Sequence, residues 1–392
     1  MSFDNPPTRV GTNAFKYNIT PYPVNKTVPI HPHWVADMDF QAPPAIREAL
    51  TDLCKLGIFG YSSVPNELYR NITRYLSTHG WDFTEDRLKQ SLMFSPGVVS
   101  GIGLVLHAIT KEGDAVLFNT PSYPHFFESV TETHRKVVVN KMVHNGDTWD
   151  IDFEELEKQI VSEDVKVYIF CSPHNPTGKV FTQKELEKVV SICHRHHVVI
   201  ISDEIHCDII LPDHRHIHTA TVDTAEDITI TFLAPSKTYN IPGLNLAFML
   251  CTNNVLYKKV SEYACGLGVS FGNLFGFEAM TVAYSGLCED WRLACVNYIH
   301  SNGLLVRHYL QQYLPNIHVT LPNATFLLWL DFSNLNLEND EIDKRLADRG
   351  IVFNQGKSFG NGFEYFRRFN IAAPQTEIQS VLNLLRDAFQ TN

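Results

Sequence analysis

Five stretches of the chain end on residues able to do chemistry. Ser95-Pro96-Gly97-Val98-Val99 is a tight turn that opens onto a helical pattern. Backbone N–H groups at such a helix start cradle a phosphate. Thr120-Pro121-Ser122-Tyr123 delivers an aromatic ring, Ser172-Pro173-His174-Asn175-Pro176-Thr177-Gly178 an amide, Asp203-Glu204-Ile205-His206 a carboxylate and Ala234-Pro235-Ser236-Lys237 an amine. Together these groups meet the needs of one aldehyde cofactor, pyridoxal phosphate. A lysine amine holds it as a Schiff base and later moves a proton. A buried carboxylate keeps the pyridine nitrogen protonated, so that the ring accepts electrons. The aromatic ring stacks on its face, the amide bonds its phenolic oxygen and the turn takes the phosphate. Singly, each group has a plainer reading, Asp203 as a helix cap and Ser95-Pro96-Gly97 as a turn. The inference rests on the set.

These residues need a scaffold that brings five distant points together. Short runs rich in β-branched and aromatic residues precede them: Ser91–Phe94, Ala115–Phe118, Lys136–Val139, Val167–Cys171, Val198–Ser202, Ile228–Phe232 and Leu246–Leu250. Amphipathic stretches of helical period lie between, among them Val98–Ile109 and Gln183–His194. Continuously apolar strands such as Val198–Ile201 belong to a sheet covered on both faces. Strands alternating with helices predict a doubly wound, mostly parallel α/β domain of seven strands, whose ligands bind at the strands' carboxyl ends. After about residue 285 the rhythm changes. A helix over Trp291–Tyr313, strands at Thr325–Asp331, Ile351–Phe353 and Phe366–Ile371, a helix at Asn339–Arg349 and a terminal helix predict a smaller α/β unit joined by the N-terminal arm. The expected division is 50–285 for the large domain and 1–49 with 286–392 for the small one.

Composition narrows the class. The 392 residues carry a net charge of −11 and are 44% apolar. An acidic chain without a basic run is not a nucleic-acid binder. No apolar stretch approaches the ~18 residues that span a bilayer, and the first fifteen residues hold no secretory core segment. Eight scattered cysteines without a C-x-x-C pair fit reduced thiols in the cytoplasm.

The motifs also resemble a known group, the fold-type-I pyridoxal-phosphate enzymes of the class I/II aminotransferase superfamily. HNPTGK at His174–Lys179, SDEIH at Ser202–His206 and SKTYNIPGL at Ser236–Leu244 occur in the family's order. WVADMDF at Trp34–Phe40, FGYS at Phe59–Ser62, SPGVV at Ser95–Val99, TPSYPHF at Thr120–Phe126 and the histidine of DEIH resemble its cystathionine β-lyase branch of C–S lyases, related to the maltose-regulon modulator. The resemblance implies Lys237 as the Schiff-base lysine, Asp203 on the pyridine nitrogen, Asn175 on the phenolic oxygen with His206 nearby, and Tyr123 stacked on the ring. It implies phosphate contacts from the amides of Val98 and Val99, from Ser236 and, across a homodimer with a shared active site, from Tyr61 of the second copy. Arg368 would clamp the substrate carboxylate beside Ala36 and Asn175, while Arg367 points the other way along its strand. The implied reaction is β-elimination of a small sulfur amino acid to thiol, pyruvate and ammonia, with Lys237 or Tyr123 protonating the thiolate. The alternatives are amino transfer, or a cofactor-binding protein that works by contacting a regulator. Two positions depart from the aminotransferase pattern: Ala234 stands where a Ser or Thr is common, and Asn245 where an arginine pairs with the phosphate.

Rival signals are weaker. Gly268-Val269-Ser270-Phe271-Gly272 matches the nucleophile elbow of serine hydrolases, but the sequence before it reads as helix, not strand; the resemblance makes it an interface loop. Gly356-Lys357-Ser358 lacks the first glycine of a P-loop, because residue 351 is Ile. His214, His216 and His218 alternate and could share one face, but no cysteine or carboxylate at ligand spacing accompanies them. They read as a solvated loop, and no metal is expected.

Overall fold

The computed structural model describes residues 2–390. All seven predicted strands form, and they form one sheet: β1 (Leu92–Ser95), β2 (Ala115–Thr120), β3 (Lys136–Lys141), β4 (Val165–Cys171), β5 (Val199–Asp203), β6 (Thr229–Leu233) and β7 (Ala247–Leu250), in the spatial order β1-β7-β6-β5-β4-β2-β3. Only β7 runs antiparallel, to both β1 and β6. The other six strands therefore share one direction, and their carboxyl ends share one edge.

The pleat sorts side chains between two cores. Val116, Val167, Ile169 and Ile201 pack with Ile102, Val105 and Leu106 of the helix Val98–Ile109. Leu117, Tyr168, Phe170 and Ile200 face the opposite side, against Leu156, Leu186, Val189 and Cys193. The helix Gln183–Arg195 starts on a capping box, in which Thr182 and Glu185 satisfy one another's backbone N–H groups.

The C-terminal part forms an antiparallel sheet: β8 (His318–Val319), β9 (Leu327–Asp331), β10 (Asn354–Gln355) and β11 (Phe366–Asn370), in the order β8-β9-β11-β10. The helices Glu289–Tyr313, Asn339–Asp348 and Gln375–Phe389 cover it. Within the arm, His31–Pro32 pairs with Ile351–Val352, and Phe3, Met38 and Phe40 enter the same core. The arm therefore lies on the C-terminal unit and reaches toward the main sheet.

The turn after β4 is held by packing as well as by sequence. Gly178 has φ +69°, and a Cβ there would stand 2.1 Å from Pro322 Cβ and 2.8 Å from the Ala324 carbonyl oxygen. Its own carbonyl accepts the amides of Asn323 and Ala324. Gly178→Ala is expected to cost about 2–4 kcal/mol, from backbone strain plus overpacking. Urea unfolding measures it, and a variant as stable as the parent would show that the turn is loosely packed.

Candidate active site

All five chemical turns meet at the carboxyl edge of the main sheet. They line one cavity of about 480 Å³, whose walls include Tyr123, Asn175, Asp203, His206, Ser236 and Lys237. Val98, Val99 and Ala36 line it as well. The first amides of the helix Val98–Ile109 have no intrahelical carbonyl to bond and open on this space.

Asp203 ends β5 at the centre of the sheet, between Cys171 and Phe232 of its neighbours. It is buried, it accepts the Ile205 amide at 3.1 Å, and it has no cation within salt-bridge distance among the described residues. Burial is the main reason its pKa rises to about 6. Lys237 Nζ donates to the Ala36 carbonyl at 2.6 Å. Burial, aided by the nearby Arg368 charge, lowers its pKa to about 8, so a large fraction of the amine is neutral and nucleophilic at mildly alkaline pH.

Arg368 does not line the cavity; it stands directly behind Asn175. Its guanidinium donates to Asn175 Oδ1 (3.1 Å), Asn354 Oδ1 (2.8 Å) and the Trp34 carbonyl (2.9 Å), lies over the Phe359 ring and leaves Nε without a partner. No carboxylate pairs with it among the described residues, and burial lowers its pKa to about 10. Arg367 points the other way, as the alternation of a strand requires; Asp343 neutralises it and Asn339 Oδ1 accepts a further hydrogen bond. Because Asn175 spends its oxygen on Arg368, its NH2 remains free to donate toward the cavity. Tyr123 precedes the helix Pro124–Glu132, and burial raises its hydroxyl pKa to about 12. His206 is held neutral, chiefly by burial, with a pKa of about 3, and its Nδ1 is buried without a partner.

Tyr61 is fully exposed and is not brought to the cavity of its own chain. The solvated reading of the histidine loop is wrong for two of its three members. The side chains of His216 and His218 are buried, and both ring N–H groups face Glu204 Oε2, His216 at 2.8 Å. Glu204 Oε1 takes the Thr219 amide (2.9 Å) and the Ser202 hydroxyl (2.8 Å). The sequence missed this because Glu204 lies on another element; only folding supplies the carboxylate that the alternating histidines lacked. Burial alone would raise the pKa of Glu204, yet the two histidines hold it far below the usual range. At 268–272 no strand precedes Ser270, so the hydrolase elbow is absent.

The cavity thus holds an unpaired anion at its floor, with an unpaired cation behind Asn175. Asp203 costs stability until something cationic joins it. In cofactor-free protein its folded pKa of about 6 exceeds the ordinary 3.8, so stability is lost as pH rises from about 4 to 6. Cofactor-free Asp203→Asn should therefore match the parent below pH 4 and exceed it at pH 8 by up to about 3 kcal/mol. Urea unfolding at the two pH values measures this; a less stable variant at pH 8 would mean that Asp203 already has a partner.

Residues 35–385 match the model of the family "Aminotransferase class I and II". The chain is 33% identical to the cystathionine β-lyase PatB of Bacillus subtilis over 99% of its own length and 100% of the relative's. It is 28% identical to the protein MalY of Escherichia coli, over 90% of each. Its fold superposes on cystalysin of Treponema denticola, a structure containing a pyridoxal 5'-phosphate cofactor, with a TM-score of 0.92 and 29% identity, covering 99% of this chain and 98% of that one. The strand-end constellation, the sheet order and the match along nearly the whole chain agree, and the chain belongs to the class I and II aminotransferase family.

Proposed function

We propose that the protein is a pyridoxal-phosphate-dependent carbon–sulfur β-lyase, converting L-cystathionine and water, or a related S-conjugate of cysteine, to a thiol, pyruvate and ammonia. One observation carries the reading: a buried carboxylate without a cation and a buried amine with a lowered pKa share a cavity rimmed by free helix amides. The unpartnered Nδ1 of His206 adds a second unsatisfied group on the same wall. These residues fit pyridoxal 5'-phosphate, and the names of the relatives favour the lyase outcome.

When bound, that cofactor supplies a carbonyl that condenses with the substrate amine and a ring that takes up the electron pair left on the α-carbon. The protein does the rest. Asp203 would hold a proton on the ring nitrogen, and the charge it gained as partner would offset the cost of its own burial. Asn175 would donate to the phenolic oxygen, Tyr123 would stack on the ring, and Val98, Val99 and Ser236 would bind the phosphate. Arg368 exchanges its neutral amide contacts for the substrate α-carboxylate, next to Ala36, which orients the α-hydrogen. Lys237 Nζ removes that proton. The Tyr123 hydroxyl, kept protonated by burial, or the protonated Lys237 then gives a proton to the departing sulfur.

The active unit is a cytoplasmic homodimer in this reading, with 50–285 as the cofactor-binding domain and 1–49 with 286–392 as the small one. Tyr61 reaches the phosphate of the second copy. Its support is apolar exposure: Ile58, Phe59, Tyr61 and Phe271 are exposed, and Phe59 stacks on Phe275.

The expected outcome is pyruvate and homocysteine from L-cystathionine without any added oxoacid. Turnover that requires an oxoacid and releases no thiol would establish amino transfer instead. Arg368→Ala should lower kcat/KM by roughly 100-fold or more, because a bidentate clamp both binds and positions. Mixing Tyr61→Phe with Lys237→Ala protein should restore activity above either parent, through hybrid dimers with one intact site. If subunits exchange and no activity returns, each site is built within one chain.

A further inference from the structure

In the antiparallel pair of β10 and β11, Asn354 stands opposite Arg368 and Gln355 opposite Arg367. Facing side chains of such a pair lie on the same side of the sheet. On one side Gln355 and Arg367 both bond Asp343, so that cation is neutralised. On the other, Asn354 Oδ1 accepts Arg368 Nη2 at 2.8 Å, and no carboxylate pairs with the guanidinium among the described residues. Asn354 is half-buried, on a segment packed tightly against its neighbour. A Cβ at Gly356 would stand 1.8 Å from the Phe363 carbonyl oxygen. The same segment ends on Phe359, whose ring centroid lies 5.2 Å from Arg368 Cζ.

Asparagine and aspartate have the same shape and differ at this position by one charge. An aspartate in the same rotamer would form an ion pair with the buried guanidinium, and a substrate carboxylate would have to displace it. An amide holds the guanidinium by one neutral hydrogen bond, which costs little to exchange. Of the other acceptors of Arg368, Trp34 offers a backbone carbonyl, and Asn175 also lines the cavity. Asn354 serves Arg368 alone, because its side chain has no other partner among the described residues. We propose that Asn354 is the positioning residue of the carboxylate clamp, orienting Arg368 while leaving its positive charge for the substrate α-carboxylate. The amide at 354 and the arginine at 368 together make this end of the site an anion receptor. This deepens the role given to Arg368 above and rests on it.

Calorimetric binding of L-alanine to Lys237→Ala holoprotein reads the clamp without turnover, because L-alanine has the carboxylate and the amine but no leaving group. In that background Asn354→Asp should weaken binding by roughly 100-fold, as much as Arg368→Ala, and Asn354→Ala by less than about ten-fold. With Lys237 in place, the same order should appear in kcat/KM for L-cystathionine, chiefly through KM. The isosteric change is then worse than the truncation, the reverse of what lost packing gives. In cofactor-free protein at pH 8, Asn354→Asp should raise the urea midpoint by about 0.3 M or more. That gain should vanish in the Arg368→Ala background. Asn354→Ala binding as weakly as Asn354→Asp, or Asn354→Asp binding like the parent, would overturn the proposal. So would an Asn354→Asp chain that is less stable than the parent or does not fold. If Arg368→Ala leaves L-alanine binding unchanged, the clamp itself fails and the proposal with it. L-alanine binding does not depend on elimination, so failure of the lyase reading leaves this test standing.

Discussion

The rest of the site depends on one electrostatic constraint, a carboxylate buried at the end of a central strand with no salt-bridge partner among the described residues. An ion in that position is costly, and folded proteins ordinarily pair it or protonate it. Here the surrounding sheet over-determines the position. Asp203 is the last residue of β5, hydrogen-bonded in register between β4 and β6, and it cannot swing to solvent without breaking the ladder. The parallel sheet supplies the stability, the site draws on it, and a ligand able to place a cationic N–H beside Asp203 recovers the difference.

The same economy appears twice on adjacent residues. Asp203 and Glu204 are neighbours pointing to opposite sides of the strand end. Glu204 is fully satisfied by two histidines, a hydroxyl and an amide; Asp203 is left open. Arg367 and Arg368 are neighbours on β11. Arg367 is paired with Asp343 inside the small core; among the described residues Arg368 meets only neutral groups. In each pair one charge is satisfied and anchors backbone, and the other is left without an opposite charge among the described residues. The period of two along a strand is what allows one dipeptide to serve both purposes.

Lys237 stands where these constraints converge. It lines the cofactor cavity, and the one side-chain hydrogen bond it makes among the described residues, to the Ala36 carbonyl, comes from the arm. The arm is therefore part of the site's construction. It bonds the lysine, it supplies the Trp34 carbonyl that holds Arg368, and it carries the balanced Arg9, Asp37, Asp39 and Lys16 group.

The sequence by itself determined the seven strands, the helix Val98–Ile109 to the residue, and five of the turns that meet at the sheet edge. It could do so because those elements are local: apolar runs of strand length, helical periods, and polar residues placed immediately after a strand are all written in consecutive positions. The assignment of Lys237, Asp203, Asn175 and Tyr123 to one place followed from the rule that parallel strands end on a common edge. What only the tertiary structure decided was which charges remain unpaired. No local pattern marks Arg368 as free and Arg367 as paired beyond their alternation, because the partner Asp343 comes from a separate helix. The alternating histidines at 216 and 218 read as a solvated loop until folding brought them to Glu204. Arg9 lies outside any motif, and its pairing with Asp37 and Asp39 appears only in the fold. Electrostatic satisfaction is a property of contacts between distant segments, so composition and spacing name the charges but leave their partners to the fold.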